Sequence, residues 1–380
     1  MQADVLIVGG GPVGAAVAKG LSKNGFSVII VEEHREIGRP VQCSGLVSPR
    51  VLEMAGSSRR VRFKALRNAR IFAGGEELFI EAKDVKAVAI DRAMFDKELM
   101  ADAERAGSDV FLGTRAISFE RDGRGIVSNV NSSGENLHIR SKLLIGADGA
   151  ASLVARTFGM QGAGEILGAF QAHISDEVDE VRIWPNPESA FFTWQIPLEE
   201  GSLIGTAGPG KPSALEILRK RFPGFERRSI AHYGGAIPIG YSKKIVGDGV
   251  ALVGDAAVQV KPLSGGGLYP GLSAAGMLVE TATKALEKGD AGEKEITPYQ
   301  KSWASSVGKE IKNSMYIRRI YMGLSEKDME KIIRELNNDS SRSVISEIGD
   351  IDNPSLLARP LVKSSPKLLI FARHLLGLLI

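Results

Sequence analysis

Three glycines near the start of the chain, Gly9, Gly11 and Gly14, have the spacing Gly-x-Gly-x-x-Gly. They separate an apolar stretch, Ala3–Val8, which predicts a buried parallel strand, from a stretch with helical spacing, Ala15–Lys23. In this context the first glycine makes the turn, the second lets the backbone approach a pyrophosphate, and the third lets the helix pack closely on the strand. The pattern predicts a nucleotide-binding βαβ unit, with phosphates at the helix N-terminus. A glycine-rich structural turn is the alternative.

The second predicted strand, Ser27–Val31, is followed at once by Glu32. A carboxylate at this strand end accepts hydrogen bonds from ribose hydroxyls and repels a 2′-phosphate. Glu32 therefore predicts a dinucleotide whose ribose carries no 2′-phosphate.

A second glycine-bearing turn follows another buried strand about 240 residues later. The run LVGDAA places Asp255 at the end of that strand, and the run SGGGL then opens a helix at Leu268. Asp255 is suited to accept hydrogen bonds from ribityl hydroxyls. The amides of Gly266, Gly267 and Leu268 would face the N1–C2=O edge of an isoalloxazine, where negative charge collects on reduction. A nicotinamide enzyme does not need this motif, so the two motifs together predict FAD; a strand–helix corner capped by aspartate is the alternative.

Three further residues are predicted to contact the flavin nucleotide. Asp148 ends a predicted strand, Leu137–Ala147, and Arg92 begins a predicted helix, Ile90–Ala106. Both are interpreted as supports of the phosphates and the ribityl chain, although Arg92 is also consistent with a surface salt bridge at a helix start. Ala116 follows the third predicted strand, where its backbone amide would meet the adenine edge.

Composition excludes several other kinds of site. Cys43 is the only cysteine of the 380 residues, which rules out an intrachain disulfide framework, a CxxC zinc site and a cysteine-ligated iron–sulfur cluster. The five histidines show no metal-ligand spacing, so no metal is predicted. A net charge of +3 over this length is too weak to predict nucleic-acid binding. We expect a cytoplasmic protein, because the sequence shows neither a signal peptide nor a run of about 20 uncharged apolar residues.

The segment 366–380 is strongly apolar, with Lys367, Arg373 and His374 interspersed. It is too short and too charged to span a bilayer. An amphipathic helix in the membrane interface, packing on the protein and a dimer seam are all consistent with it. Peripheral contact with the cytoplasmic face of a membrane is therefore one of three interpretations.

The predicted elements give an α/β fold class. We expect a discontinuous Rossmann-like FAD-binding domain, an inserted mixed β-sheet substrate domain and a C-terminal helical region. The FAD-binding domain is predicted from residues 1–58, 90–154 and 246–290, the sheet domain from residues 59–89 and 155–245, and the helical region from residues 291–380.

Taken together, the three motifs resemble the para-hydroxybenzoate hydroxylase-like FAD superfamily. Over about residues 1–290 the chain is similar, more narrowly, to the geranylgeranyl reductase family. The segment EIGRPVQCSG, which contains Cys43, Ser44 and Gly45, resembles that family's Pro-x-x-Cys-x-Gly loop beside the flavin. The resemblance implies that this loop contacts the flavin and that Cys43 lies near the reacting centre. The alternative for Cys43 is a small buried residue chosen for packing.

The segment FTWQIP carries the rest of the narrower likeness. Its residues Phe192, Trp194 and Pro197, followed by Gly205, resemble the family's aromatic-x-Trp-x-Phe-Pro…Gly-x-Gly signature, which is implicated in holding the prenyl substrate. Plain sheet core is an equally good interpretation of these alternating residues.

The chain departs from the family pattern at three positions. Isoleucine stands at 196 where phenylalanine is usual, alanine at 207 replaces the last glycine, and lysine at 261 occupies a position where aspartate is common. None of these changes removes the predicted FAD cradle. They weaken any inference about which lipid is used.

The resemblance implies a flavin-dependent reductase that saturates C=C bonds of a polyprenyl lipid. Its electron donor is left open between a carrier protein, a deazaflavin and NAD(P)H. A flavin monooxygenase is the main rival, with a halogenase as a variant because FTWQIP is one residue from that family's Trp-x-Trp-x-Ile-Pro. A flavin-to-quinone electron carrier and a prenyl-lipid carrier with purely structural FAD are the other rivals.

Overall fold

The computed structural model describes residues 1–160, 162–209 and 211–371. The strands in chain order are β1 (Gln2–Val8), β2 (Val28–Glu32), β3 (Leu46–Val47), β4 (Arg62–Leu66), β5 (Asn68–Ala73), β6 (Glu76–Glu81), β7 (Ala87–Ile90), β8 (Asp109–Leu112), β9 (Thr114–Arg121), β10 (Ile126–Ser132), β11 (Glu135–Gly146), β12 (Ala163–Ile174), β13 (Val181–Asn186), β14 (Phe191–Pro197), β15 (Ser202–Gly208), β16 (Ser229–Tyr241), β17 (Val246–Gly247) and β18 (Val250–Leu252). The α-helices are α1 (Pro12–Lys23), α2 (Pro49–Ala55), α3 (Arg92–Arg105), α4 (Leu153–Thr157), α5 (Lys211–Arg221), α6 (Leu268–Glu287), α7 (Glu293–Ser305), α8 (Val307–Met322), α9 (Glu326–Leu336), α10 (Asp339–Ile348) and α11 (Ala358–Ser364).

The first sheet has a parallel core in the order β18-β11-β1-β2-β8, and α1 packs against both α3 and α6 beside it. Its register aligns the strand ends: Val8 lies opposite both Val31 and Gly146, and Gly146 lies opposite Leu252. Because parallel strands end at one edge of a sheet, the turns that follow these four residues lie side by side. The motifs that follow these strands are far apart in sequence but lie together at this edge of the sheet.

Two local predictions for this sheet differ from the structure. Helix α1 begins at Pro12 rather than at Ala15, because proline is pre-organised for the first helical position. An antiparallel hairpin of β9 and β10 pairs with β11, in a segment where the sequence pattern predicts no strand. The α/β class itself, with a helical C-terminal region, is confirmed.

The second sheet has the order β16-β12-β15-β14-β13-β5-β6. Its register places Tyr233, Gln171, Gly205, Trp194 and Ile183 in one row across five strands. Directly paired residues share a face, so this row lies on one side of the sheet. That side belongs to an apolar cluster formed with β4, β7 and the residues around Val260. The opposite side packs against α5.

The C-terminal helices are packed into the rest of the fold. Tyr299 and Trp303 of α7 are buried in the same core as the first sheet. Met329 and Ile333 of α9 pack on Leu78 of the second sheet. Among the described residues no helix is long and apolar enough to cross a bilayer. Residues 372–380 of the predicted interfacial segment lie outside the described residues.

Candidate active site

The first glycine turn is shaped by close backbone approaches. Gly9 has φ of +105°, and a Cβ atom on it would lie 2.3 Å from the carbonyl oxygen of Ala147. A Cβ on Gly14 would lie 2.3 Å from the carbonyl oxygen of Gly9. Both positions therefore require glycine for the fold itself. A Cβ on Gly11, by contrast, would meet nothing within 4 Å, which leaves open space above the turn.

That open space lies at the N-terminus of α1. Gly11 is the N-cap and no side chain caps the helix, so the first-turn amides of Val13 and Gly14 are free of a capping side chain. Free amides and the positive end of the helix dipole form an anion site. The turn is therefore built to receive a pyrophosphate.

Glu32 is held beside this turn at the end of β2. One carboxylate oxygen accepts a hydrogen bond from the Gly10 amide at 2.7 Å, and the other accepts from the His34 amide at 2.9 Å and faces His34 Nδ1 at 2.6 Å. Each carboxylate oxygen has two lone-pair directions, so the group is fixed in place and keeps acceptor capacity for ribose hydroxyls.

Asp255 lies at the end of β18, facing the start of α6. A Cβ on Gly267 would lie 2.7 Å from Asp255 Oδ1, so the carboxylate reaches across to the second glycine turn. Burial raises the pKa of Asp255 to about 6, and the attraction of Arg92 offsets only part of this effect. Among the described residues, no side chain or amide donates a hydrogen bond to this half-buried carboxylate, so it can accept hydrogen bonds from a bound hydroxyl.

Arg92 is the first residue of α3, and Asp91 caps that helix through the Met94 amide at 3.0 Å. Its guanidinium contacts Asp96 at 3.0 Å. Burial lowers the pKa of Arg92, but the attraction of Asp96 and of the Cys43 sulfur more than offsets it, so the pKa is raised overall. Arg92 therefore stays charged; it interacts with the Cys43 sulfur, and its charge also acts on Asp255.

The Cys43 loop packs between β7, which forms a small sheet with β3 and β4, and β16 of the second sheet. Gly45 is buried with φ of +70°, its amide lies 3.5 Å from the Cys43 sulfur, and a Cβ on it would lie 2.5 Å from the carbonyl oxygen of Ile90. A Cβ on Gly235 of β16 would lie 2.7 Å from the carbonyl oxygen of Gln42. The glycines thus let this loop, including the partly buried Ser44, pack tightly against both neighbours.

Trp194 dominates the inner face of the second sheet. It is 7% exposed, and its indole covers Gly205, where a Cβ would lie 2.5 Å from two ring carbons. Phe192 stands beside it with ring centroids 5.7 Å apart, and Pro197 ends the same strand in a buried position. Within the described residues, Trp194 Nε1 and Gln171 Oε1 are buried without a hydrogen-bond partner. The surface formed by Phe192, Trp194, Gly205 and Gln171, called the wall below, is thus largely apolar and carries these two unpaired polar atoms.

Two more predicted cofactor residues, Asp148 and Ala116, lie after or within strands of the first sheet. The carboxylate of Asp148 accepts hydrogen bonds from Ser152 Oγ at 2.6 Å and from the Leu153 amide at 2.7 Å, at the start of α4. Ala116 is a buried residue of β9 opposite Val130. The backbone of Asp148 nevertheless lies against the first glycine turn, since its Cα would be 3.0 Å from a Cβ on Gly9.

With this geometry in view, comparisons with known proteins give a consistent result. Residues 2–213 match the family described as FAD binding domain. The digeranylgeranylglycerophospholipid reductase of Methanothrix thermoacetophila is 30% identical, over 99% of this chain and 100% of that relative. This chain belongs to the geranylgeranyl reductase family of FAD-binding proteins. The family resemblance that the sequence motifs predict is thereby confirmed.

Solved structures show the shared fold. A geranylgeranyl bacteriochlorophyll reductase-like protein from Thermoplasma acidophilum superposes with a TM-score of 0.85 at 22% identity, covering 97% of this chain and 99% of that one. A probable FAD-dependent monooxygenase from Pseudomonas aeruginosa superposes with a TM-score of 0.67 at 21% identity, covering 88% of this chain and all of the other. The geranylgeranyl reductase family therefore shares its fold with flavin monooxygenases.

FAD is the cofactor of this geranylgeranyl reductase family member, and its residues fit that molecule. The open space over Gly11 and the uncapped start of α1 suit a pyrophosphate, and Glu32 suits a ribose. Asp255 lies next to Gly267, the N-cap of α6, which likewise has no capping side chain. These groups lie along one edge of one sheet, as an extended dinucleotide requires.

Sequence reasoning missed residues that support the cradle from outside the motifs. Gln259 accepts a hydrogen bond from the Gly254 amide at 2.7 Å and donates one to Tyr299 Oη at 2.9 Å. Tyr299 in turn donates to the carbonyl oxygen of Leu252 at 2.8 Å. Gln259 follows Asp255 closely and was a detectable candidate, but nothing in the local sequence marks Tyr299.

Proposed function

We propose that this protein is an FAD-dependent reductase that saturates the C=C bonds of geranylgeranyl chains on a glycerophospholipid. The observation that carries the proposal is the apolar wall of Trp194 and Phe192, which shares a cluster with Val260 next to the second glycine turn. A full-length relative named for this activity supports it. A prenyl chain offers no charge to bind, so an apolar wall beside the flavin is what the reaction needs.

Reduced FAD, when bound, would supply the hydride for one alkene carbon and would become oxidised in turn. The protein's own work is to orient the alkene and to exclude water, and the Trp194–Gly205 wall does both. The other alkene carbon needs a proton, and the thiol of Cys43 is our candidate donor. Arg92 would stabilise the thiolate left behind, because its guanidinium faces the sulfur.

The two free polar atoms of the wall give the substrate a fixed orientation in our proposal. Trp194 Nε1 is a donor and Gln171 Oε1 is an acceptor, and both are buried in a largely apolar surface. An unpaired buried polar group is costly, so a water molecule or an oxygen of the lipid head region is expected to satisfy them.

We also propose that the chain divides into the FAD-binding domain, the sheet domain and the helical region predicted above. We further propose that the protein contacts the cytoplasmic face of a membrane peripherally, where it would meet its lipid substrate. The carrier protein, the deazaflavin and the nicotinamide are all retained as electron donors, because no separate nicotinamide fingerprint occurs in the sequence. A monooxygenase is the second candidate function, favoured by the fold shared with a probable monooxygenase.

The test is an anaerobic turnover of the dithionite-reduced holoenzyme with a digeranylgeranyl glycerophospholipid, followed by mass spectrometry of the lipid. We expect mass gains in steps of two hydrogens, together with reoxidation of the flavin. An unchanged lipid under these conditions would overturn the reductase. Oxygen incorporation after admission of air would then establish the monooxygenase instead.

A further inference from the structure

We propose that Lys261 and Asp352 form a buried charge pair that positions the second glycine turn and sets the electrostatic potential at the flavin ring. Neither residue belongs to the cradle motifs, and Asp352 comes from the C-terminal region. The inference rests on the proposed flavin position, with the ring next to Gly265–Gly267.

The pair itself is short and buried. Lys261 Nζ lies 3.0 Å from Asp352 Oδ1 and donates a hydrogen bond to the carbonyl oxygen of Ile351 at 2.8 Å. The two charged side chains are only 10% and 1% exposed. An ammonium at this depth requires a paired anion, so each member depends on the other.

Lys261 also shapes the turn that it precedes. Its amide donates to the carbonyl oxygen of Gly266 at 3.1 Å, and its carbonyl oxygen accepts from the Gly265 amide at 2.8 Å. A Cβ on Gly266 would lie 2.7 Å from Lys261 Cε and 3.2 Å from Nζ. The lysine side chain therefore runs along the turn, and its charge lies beside Gly266 rather than in solvent.

Asp352 joins this turn to the segment that follows the Cys43 loop. Its second oxygen accepts a hydrogen bond from Ser48 Oγ at 2.5 Å, and Arg50 lies 3.6 Å away. Ser48 is the N-cap of α2, three residues beyond Gly45. One carboxylate thus links both sides of the proposed flavin pocket to the C-terminal region.

A second C-terminal residue holds the same stretch. Arg318 of α8 is 2% exposed, donates to the carbonyl oxygen of Pro262 at 3.2 Å and pairs with Glu165 at 2.6 Å. Residues 261 and 262 are therefore both anchored by residues that follow the FAD-binding segments in sequence, the first by the bend after α10 and the second by α8. The C-terminal region is part of the pocket's framework.

The two charges act on the flavin in opposite directions. Reduction places negative charge at the N1–C2=O edge, which the ammonium beside Gly266 stabilises and the more distant carboxylate opposes. Lys261→Met is therefore expected to lower the midpoint potential of the flavin, and Asp352→Asn to raise it. A role in packing alone would not give shifts of opposite sign.

The experiment is an anaerobic reduction titration of the full-length holoprotein against a reference dye. We expect each variant to change the ratio of its affinities for reduced and oxidised FAD about tenfold, or about 30 mV for a two-electron couple, in opposite directions. Lys284→Met, which removes an exposed cation of α6, is the matched control and is expected to keep the wild-type potential. Shifts of the same sign, or none, would overturn the proposal.

Two further variants distinguish the loss of the lysine charge from a loss of folding. Lys261→Arg keeps the charge and is expected to keep the potential, while Lys261→Gln removes the charge but keeps a donor for the Ile351 carbonyl. If Lys261→Met does not fold, Lys261→Gln carries the same prediction. No lipid enters the titration, so failure of the proposed reductase activity and failure of the charge pair are separate results.

Discussion

Trp194 and Gly205 lie directly opposite each other on β14 and β15, and the indole of Trp194 covers the glycine so closely that a Cβ there would lie 2.5 Å from two ring carbons. The tryptophan and the glycine of the family signature are therefore one structural unit. A flat ring can lie along the sheet only where the opposing residue has no side chain.

Gly205→Ala is expected to displace the indole and to destabilise the protein by about 1–3 kcal/mol, as overpacking of a core does. Lipid turnover is expected to fall more than FAD binding, because the wall rather than the cradle is disturbed. Gly276→Ala on α6 is the control: a Cβ there meets nothing within 4 Å, so it should be neutral or stabilising. The double variant Trp194→Leu, Gly205→Ala should recover part of the lost stability. If the stability losses of the two single variants simply added in the double variant, the two residues would not act as one structural unit.

Gly9→Ala is expected to lower the stability of the apoprotein, whereas Gly11→Ala is expected to lower only the affinity for FAD. Alanine at position 9 meets the Ala147 carbonyl at 2.3 Å with φ of +105°, so the apoprotein itself should be destabilised. Alanine at position 11 meets no protein atom, so the apoprotein should melt normally while its FAD affinity falls at least about tenfold, which is about 1.4 kcal/mol. Thermal melts and flavin titration of both variants measure this, and normal FAD binding by Gly11→Ala would refute the phosphate site.

Asp255 is expected to make the apoprotein less stable as the pH rises. Its pKa is raised by burial from 3.8 to about 6, so the folded state holds this proton after the unfolded chain has released it. The free energy of unfolding then falls between about pH 4 and pH 6 and levels off above, by up to about 3 kcal/mol. Asp255→Asn removes this slope, so the apo variant should be the more stable protein at pH 7 while binding FAD more weakly.

The check is chemical denaturation of both apoproteins at pH 4.5 and pH 7.5. Asp179→Asn, at a fully exposed carboxylate, is the control and should follow the wild type at both pH values. An equal stability difference between wild type and Asp255→Asn at the two pH values would show that burial does not shift this carboxyl.

Cys43→Ala is expected to keep bound flavin and to lower kcat at least about tenfold with little change in KM, because only the proton step is affected. Arg92→Lys should lower kcat as well, since the guanidinium faces the sulfur and the ammonium lacks its planar shape. Steady-state kinetics with the glycerophospholipid measure both. An unchanged kcat for Cys43→Ala would assign the thiol to packing alone.

The predictions from sequence succeeded where a local pattern fixes the backbone. The glycine spacing after an apolar strand defines the turn at Gly9, and the single residue Glu32 marks the end of β2, because the geometry of a βαβ unit is nearly the same in every protein. The alternation of Phe192 and Trp194 likewise defines a strand face. The roles of Asp148 and Ala116 stay predictions, and the carboxylate of Asp148 is used at the start of α4.

By itself, then, the sequence determined the fold class, the family and FAD as the cofactor, because these depend on turns and periodicities within short segments. Only the tertiary structure decided that Arg92 interacts with Cys43, that Trp194 lies over Gly205, and that Lys261 pairs with Asp352. Such contacts join residues as far apart in sequence as Lys261 and Asp352, and no local pattern encodes them. They form because parallel strands end at one edge of the sheet, and because a buried charge is stable only beside a group of opposite charge.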